Sequence, residues 1–173
     1  CSPLCSKEDL MPSSREEAYE ALASWNPASV FLASYREKKL PENAEIFFGP
    51  PEELFLGPED QLIYTGDRLI PILDDGNFGV VTFHDPDERV LIQFDVEEPD
   101  EPEATFTHWQ QYLANIMIGV GESFDDDDYI RRLARLIQFQ NIDDLFNLWD
   151  TAGDLPYEQY EKACKDFVAQ IGG

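Results

Sequence analysis

The sequence predicts an α+β fold: a central, mostly antiparallel sheet flanked by helices, with a C-terminal helical extension. Three observations carry that expectation. Two β-rich runs, at 78–83 and 90–95, flank Asp85-Pro86-Asp87-Glu88 in the pattern of an antiparallel hairpin. Apolar residues recur at helical spacing on both sides of this strand-rich middle, and helices segregated from meandering strands mark α+β architecture. Finally, 173 residues with 43% hydrophobic and 13% aromatic content are enough to bury one core. The predicted organisation is a loose leader over 1–12, an α+β domain over 13–121, and a helical extension over 122–173 packed on the same domain.

Ser13 with Glu16, or Ser14 with Glu17, has capping-box spacing, and Ala18, Tyr19, Leu22 and Trp25 follow at helical intervals. Asn26-Pro27 ends this helix and opens a second, which carries Val30, Phe31 and Tyr35 and runs out near Lys39. A short strand is expected over 45–48, closed by Gly49-Pro50-Pro51. Residues 52–56 read as a turn of helix or an irregular piece, and 62–64 and 69–73 as further strands. Asp74-Asp75-Gly76-Asn77 is a dense turn signal. In the hairpin, Val90, Ile92 and Phe94 share one face, with Leu91 and Gln93 on the other. Thr105 or Thr107 caps a helix bearing Phe106, Trp109, Tyr112, Leu113, Ile116 and Met117, expected to stop at Gly119 and Gly121. The aspartate run 125–128 leads into a helix with Ile130, Leu133 and Ile137. Asn141 or Asp143 starts another with Leu145, Phe146 and Trp149. Pro156 opens the last, with Tyr160, Cys164, Phe167 and Ile171 along its stripe. Trp25, Trp109 and Trp149 all sit in amphipathic patterns and are expected to pack in the core.

Charge bounds the partners. Acidic residues number 36 against 12 basic ones, a formal net charge of −24. Such a surface repels nucleic-acid phosphates and anionic lipid, and it speeds encounter with basic proteins. No apolar run approaches the roughly 20 residues that span a bilayer. Cys1, Cys5 and Cys164 are too sparse for a disulfide framework. Cys1 and Cys5 could pair locally, and Cys164 reads as a small core residue. The expected compartment is the cytoplasm; the alternative is a lipid anchor, because a mature lipoprotein also begins with Cys.

Catalytic patterns are absent from the sequence. It contains neither a Gly-x-Ser-x-Gly elbow nor a phosphate-cradling glycine fingerprint, and His84 and His108 stand isolated. Residues 125–128 splay their carboxylates around a helix start, where the macrodipole favours them. Asp85-Pro86-Asp87-Glu88 lacks the alternate spacing of a calcium loop. No catalytic residue, metal or cofactor is therefore expected. Arg131, Arg132 and Arg135 are expected to offset the neighbouring aspartates. The segment 95–103 is different, because Pro99 and Pro102 hold a ridge of carboxylates extended, suited to docking Arg and Lys.

Several segments together resemble the SUKH superfamily, which includes fungal cell-wall synthesis regulators and many bacterial immunity proteins. They are Phe48-Gly49-Pro50-Pro51-Glu52-Glu53-Leu54, then Leu69-Ile70-Pro71-Ile72-Leu73-Asp74-Asp75-Gly76-Asn77-Phe78-Gly79, the strand ending Ile92-Gln93-Phe94-Asp95, and Thr105-Phe106-Thr107-His108-Trp109-Gln110-Gln111-Tyr112-Leu113. The similarity covers about 44–118. The Leu-Pro-x-x-Tyr segment with a following Asn-Gly, usual in that group, is not evident, and the helices after Gly121 lie outside its pattern. The resemblance implies an α+β fold and non-catalytic neutralisation of a cognate protein toxin, often a nuclease. With the charge, it predicts an immunity-type binder of a basic partner. The expected contacts are Asp74, Asp75 and Asn77 at the turn, and Asp95, Glu97, Glu98, Asp100 and Glu101 on the loop. Two alternatives stand beside it: a nucleic-acid mimic that inhibits DNA-binding proteins, and a ligand- or metal-binding enzyme in the sheet cleft.

Overall fold

Four antiparallel strands, β1 (Ile70–Asp74), β2 (Val80–Asp85), β3 (Val90–Asp95) and β4 (Ala104–Phe106), form a meander paired in that order. The structure is a computed structural model and describes residues 12–65 and 68–172. The α+β class read from the sequence is the one observed. The predicted leader, with Cys1 and Cys5, lies outside the described residues apart from Pro12. Pro71, which has no N–H to donate, sits on edge strand β1, where the register shifts before Leu73.

Strand alternation gives the sheet two covered faces. The β2–β3 register sets Val81 against Phe94 and Phe83 against Ile92, and, alternating with them, Thr82 against Gln93 and His84 against Leu91. Val81, Phe83 and Phe94 form a small core with Leu54 of α3 (Glu52–Leu56), and Tyr64 of α4 (Pro58–Thr65) packs edge-on to Phe94. The other face joins the main core, which Leu91 shares with Leu113 and Met117 of α5 (Trp109–Ser123). Burying each such side chain contributes about 1.5–3 kcal/mol.

The N-terminal helices close one side of that main core. Ser14 caps α1 (Arg15–Ala23), its side chain accepting from the Glu17 N–H at 3.1 Å. Phe31 of α2 (Ser29–Ala33) stacks on Phe48 and meets Trp109 edge-on. The second helix is shorter than expected and ends at Ala33. Where a strand was expected over 45–48, the chain forms a 3-10 segment, Pro41–Ile46, with left-handed backbone at Glu42 and Asn43; only Gly49 bridges to the sheet, at Asp74. Residues 62–64, expected as a strand, belong to α4. Pro58 opens that helix, and buried Gln61 ties it to Ser13 and to the Leu54 carbonyl, so a helix–helix contact overrides local β propensity.

The C-terminal helices are α6 (Asp127–Ile137), α7 (Ile142–Ala152) and α8 (Tyr157–Gln170). They bring Leu133, Ile137, Leu145 and Cys164 into the main core. Helix α5 continues past both glycines, and Gly121 serves packing rather than termination, leaving room for the Trp149 ring of α7. Trp109 is buried, and Trp25 and Trp149 are half-buried against the core. The arginines do not offset the aspartate run. Arg131 pairs with Asp143 of α7 at 2.8 Å and Arg132 with Glu42 at 3.2 Å, because the helix surface carries them away from its own N-terminus toward neighbouring elements.

Candidate functional site: an acidic groove beside the sheet

Two loops meet at one end of the sheet. The β1–β2 turn is built on its own aspartates: Asp74 Oδ1 accepts from the Gly76 N–H at 2.8 Å, and Asp75 Oδ1 accepts from Asn77 at 3.1 Å and Gly79 at 2.9 Å. Gly76 has φ +82°, and a Cβ there would meet the Ile46 carbonyl oxygen at 2.7 Å, so glycine is required. In the β3–β4 loop, Asp95 Oδ1 accepts from the Glu97 N–H at 2.8 Å. The Val96 N–H donates to the Gly79 carbonyl at 3.0 Å, joining this loop to the turn.

Beneath these loops lies an open groove of about 990 Å³, walled by the helix-facing side of the sheet, α5, α8 and the 3-10 segment. Its floor is polar. Gln93 Nε2 donates to Thr82 Oγ1 at 3.1 Å, and Gln93 Oε1 accepts from Asn115 Nδ2 at 3.2 Å. Thr82 is 2% and Gln93 6% exposed. The Tyr112 ring is buried in the core and its hydroxyl end borders Thr82. Phe47, Phe106, Phe124 and Tyr160 supply apolar wall, and Glu103, Glu122 and Glu161 supply further carboxylates. Among the described residues Lys165 is the cation lining the groove, and Glu161 pairs with it at 3.3 Å.

The electrostatics follow from crowding and burial. Desolvation pushes Asp74 up to about 6; the Gly76 N–H pulls it down, and Asp75, Glu52 and Glu53 push it further up. Burial likewise raises Glu103, which also feels Asp95, Asp75 and Glu98 against the relief of Lys165. Tyr160 is pushed up to about 12, chiefly by burial, and burial raises the Cys164 thiol. A thiol raised in this way stays protonated and is a poor nucleophile. His84 accepts from the Trp25 indole at Nδ1, and among the described residues neither histidine shares a hydrogen bond with a hydroxyl or thiol. Among the described residues there is also no group of three His, Cys, Asp or Glu side chains disposed to hold a metal ion. The arrangement is equipped to accept hydrogen bonds from cationic groups and to hold an apolar stem.

Of the residues expected from sequence, Asp74, Asp75 and Asn77 line the groove. Asp95, Glu97 and Glu98 lie at the same sheet end, beside the turn. Asp100 and Glu101 are exposed further along the loop and do not line the groove. Thr82, Gln93, Gln111, Tyr112 and Asn115 were not anticipated as site residues. Their signal was polarity at strand and helix positions whose neighbours are core. Compared with protein-family models, curated proteins and solved structures, the chain shows no match.

Proposed function

We propose that this protein is a non-catalytic acidic binder of the immunity type, which docks on a basic protein, a toxin such as a nuclease, and neutralises it. The observation that carries this reading is the meeting of two acidic loops at one sheet end, with the Val96–Gly79 hydrogen bond between them and, among the described residues, only Lys165 opposing the carboxylates of the groove. The net charge of −24 adds long-range attraction for a basic surface. The SUKH-like segments support the same reading, because the Leu69–Gly79 portion of that resemblance contains β1 and the aspartate turn. Among the described residues no helix is long and apolar enough to cross a membrane, and the cytoplasm is the compartment we propose for the encounter.

The test is capture from the native cell's lysate at near-physiological salt, with the wild type beside a variant carrying Asp95→Asn, Glu97→Gln, Glu98→Gln and Glu101→Gln. One dominant basic partner that associates about ten-fold more slowly with the variant supports the reading, in line with electrostatic steering of 10-fold or more. A spread of unrelated DNA-binding proteins points instead to nucleic-acid mimicry. Capture of nothing by either protein removes both binder readings and turns attention to a ligand in the cleft.

A further inference from the structure

Sheet faces that meet a helix are usually apolar, yet Thr82 and Gln93 sit opposite each other on the face turned to α5. Their polar ends open into the groove rather than into the core. Gln111, on the first turn of α5, is 8% exposed and also lines the groove. Its Oε1 is occupied by the N–H groups of Thr107 at 2.9 Å and His108 at 3.4 Å. Its amide nitrogen has no hydrogen-bond acceptor among the described residues. That nitrogen opens on the groove, where it can donate to an acceptor from outside the chain.

Acceptors in need of donors stand in the same groove. Asp74 and Asp75 each commit Oδ1 to their own turn, and neither Oδ2 has a hydrogen bond among the described residues. Phe47, Phe106 and Phe124 offer flat apolar wall between these polar points. The complement is a chain that carries a cation, an aliphatic stem and a carbonyl group. A planar guanidinium suits two adjacent carboxylates better than a point-charge ammonium. Nucleic acid has the wrong sign, and a simple polyamine has no carbonyl for Gln111.

We propose that this groove is the seat of an arginine-bearing extended segment of the basic partner, with the guanidinium on the free oxygens of Asp74 and Asp75 and a backbone carbonyl on the Gln111 amide. This rests on the reading of the chain as a binder of a basic protein.

The experiment uses the full chain, isotope-labelled, titrated with three probes: the capped tripeptide Ac-Leu-Arg-Leu-NH2, the same peptide with citrulline for arginine, and agmatine. The arginine peptide is expected to bind in the millimolar range and to shift the Gln111 side-chain amide together with the backbone amides of Gly76 and Thr82. Citrulline removes the charge at nearly constant shape and is expected to bind at least about ten-fold more weakly, and agmatine likewise, for want of the carbonyl. The double variant Asp74→Asn, Asp75→Asn keeps both Oδ1 acceptors, so the turn is retained, and is expected to lose about ten-fold in affinity. Shifts elsewhere on the molecule, equal binding of the citrulline peptide or of agmatine, or undiminished binding by the folded double variant would each overturn the proposal. The two readings fail separately. A cellular partner lost by the loop variant but held equally by the double variant removes the groove from the interface and leaves the binder intact. Peptide bound in the groove with no partner captured leaves the groove a peptide site and removes the function.

Discussion

Replacing Asp74 by asparagine is expected to stabilise the protein near neutral pH and to leave it unchanged in acid. The folded protein holds this carboxyl at about 6 against an ordinary 3.8, because burial penalises the charge. Between those values the unfolded chain releases its proton first, so the folded state binds more protons and stability falls as pH rises. Above about 6 the whole cost is present; below about 4 none of it is. The gap corresponds to about 3 kcal/mol at about 1.4 kcal/mol per pH unit. Asp74 is only half-buried, so solvent screening reduces the recoverable part to about 1–2 kcal/mol. Asparagine keeps the Oδ1 acceptor for the Gly76 N–H and removes the charge. The measurements are urea unfolding and thermal melts of wild type and variant at about pH 7.5 and about pH 4, with a melting-temperature gain of about 2–8 °C for the variant at the higher pH. A variant less stable than wild type at neutral pH, or a difference that does not shrink in acid, would refute the assignment of the cost to a buried charge.

Two glycines on one helix are expected to respond with opposite sign. Gly119→Ala meets no atom within 4 Å and replaces a helix-interior glycine, so a gain of about 0.5–1 kcal/mol is expected in denaturant melts. Gly121→Ala drives a methyl group into the Trp149 ring and is expected to cost about 1–3 kcal/mol, with a change in tryptophan fluorescence as α7 shifts. Gly76→Ala combines a left-handed φ with a clash against the backbone of Glu45 and Ile46, and a loss of about 2 kcal/mol or more is expected by urea unfolding.

Legibility in the sequence followed locality. The β2–β3 hairpin was readable because alternation and turn residues lie within about twenty positions of one another, and Ile92 and Phe94 do share a face apart from Leu91 and Gln93. Helices α5, α6 and α8 were readable from their apolar stripes. What escaped was decided by distant partners. Helix α4 is held by Gln61 reaching across to Ser13, and no periodicity at 62–64 reports that contact. Helix α5 begins after His108 rather than at a threonine, because Gln111 folds back on the Thr107 and His108 amides, while Thr105 pairs with Ile92 in β4. The site was half legible. Its aspartates announced themselves by density in the chain. Its floor did not, because Thr82, Gln93 and Asn115 come from three elements that meet only after the meander closes against α5.

The way the aspartates are tied has a consequence for recognition. Asp74, Asp75 and Asp95 are short side chains, each with one oxygen already held by a backbone N–H two residues on. Immobilising a long, rotamer-rich side chain on binding costs about 0.5–1.5 kcal/mol. These three have surrendered that freedom during folding. Glu97, Glu98 and Glu101 retain it, exposed on their loop. For the basic partner proposed above, the surface would thus divide its labour between mobile charges that attract from a distance and preorganised ones that test whether the donors fit.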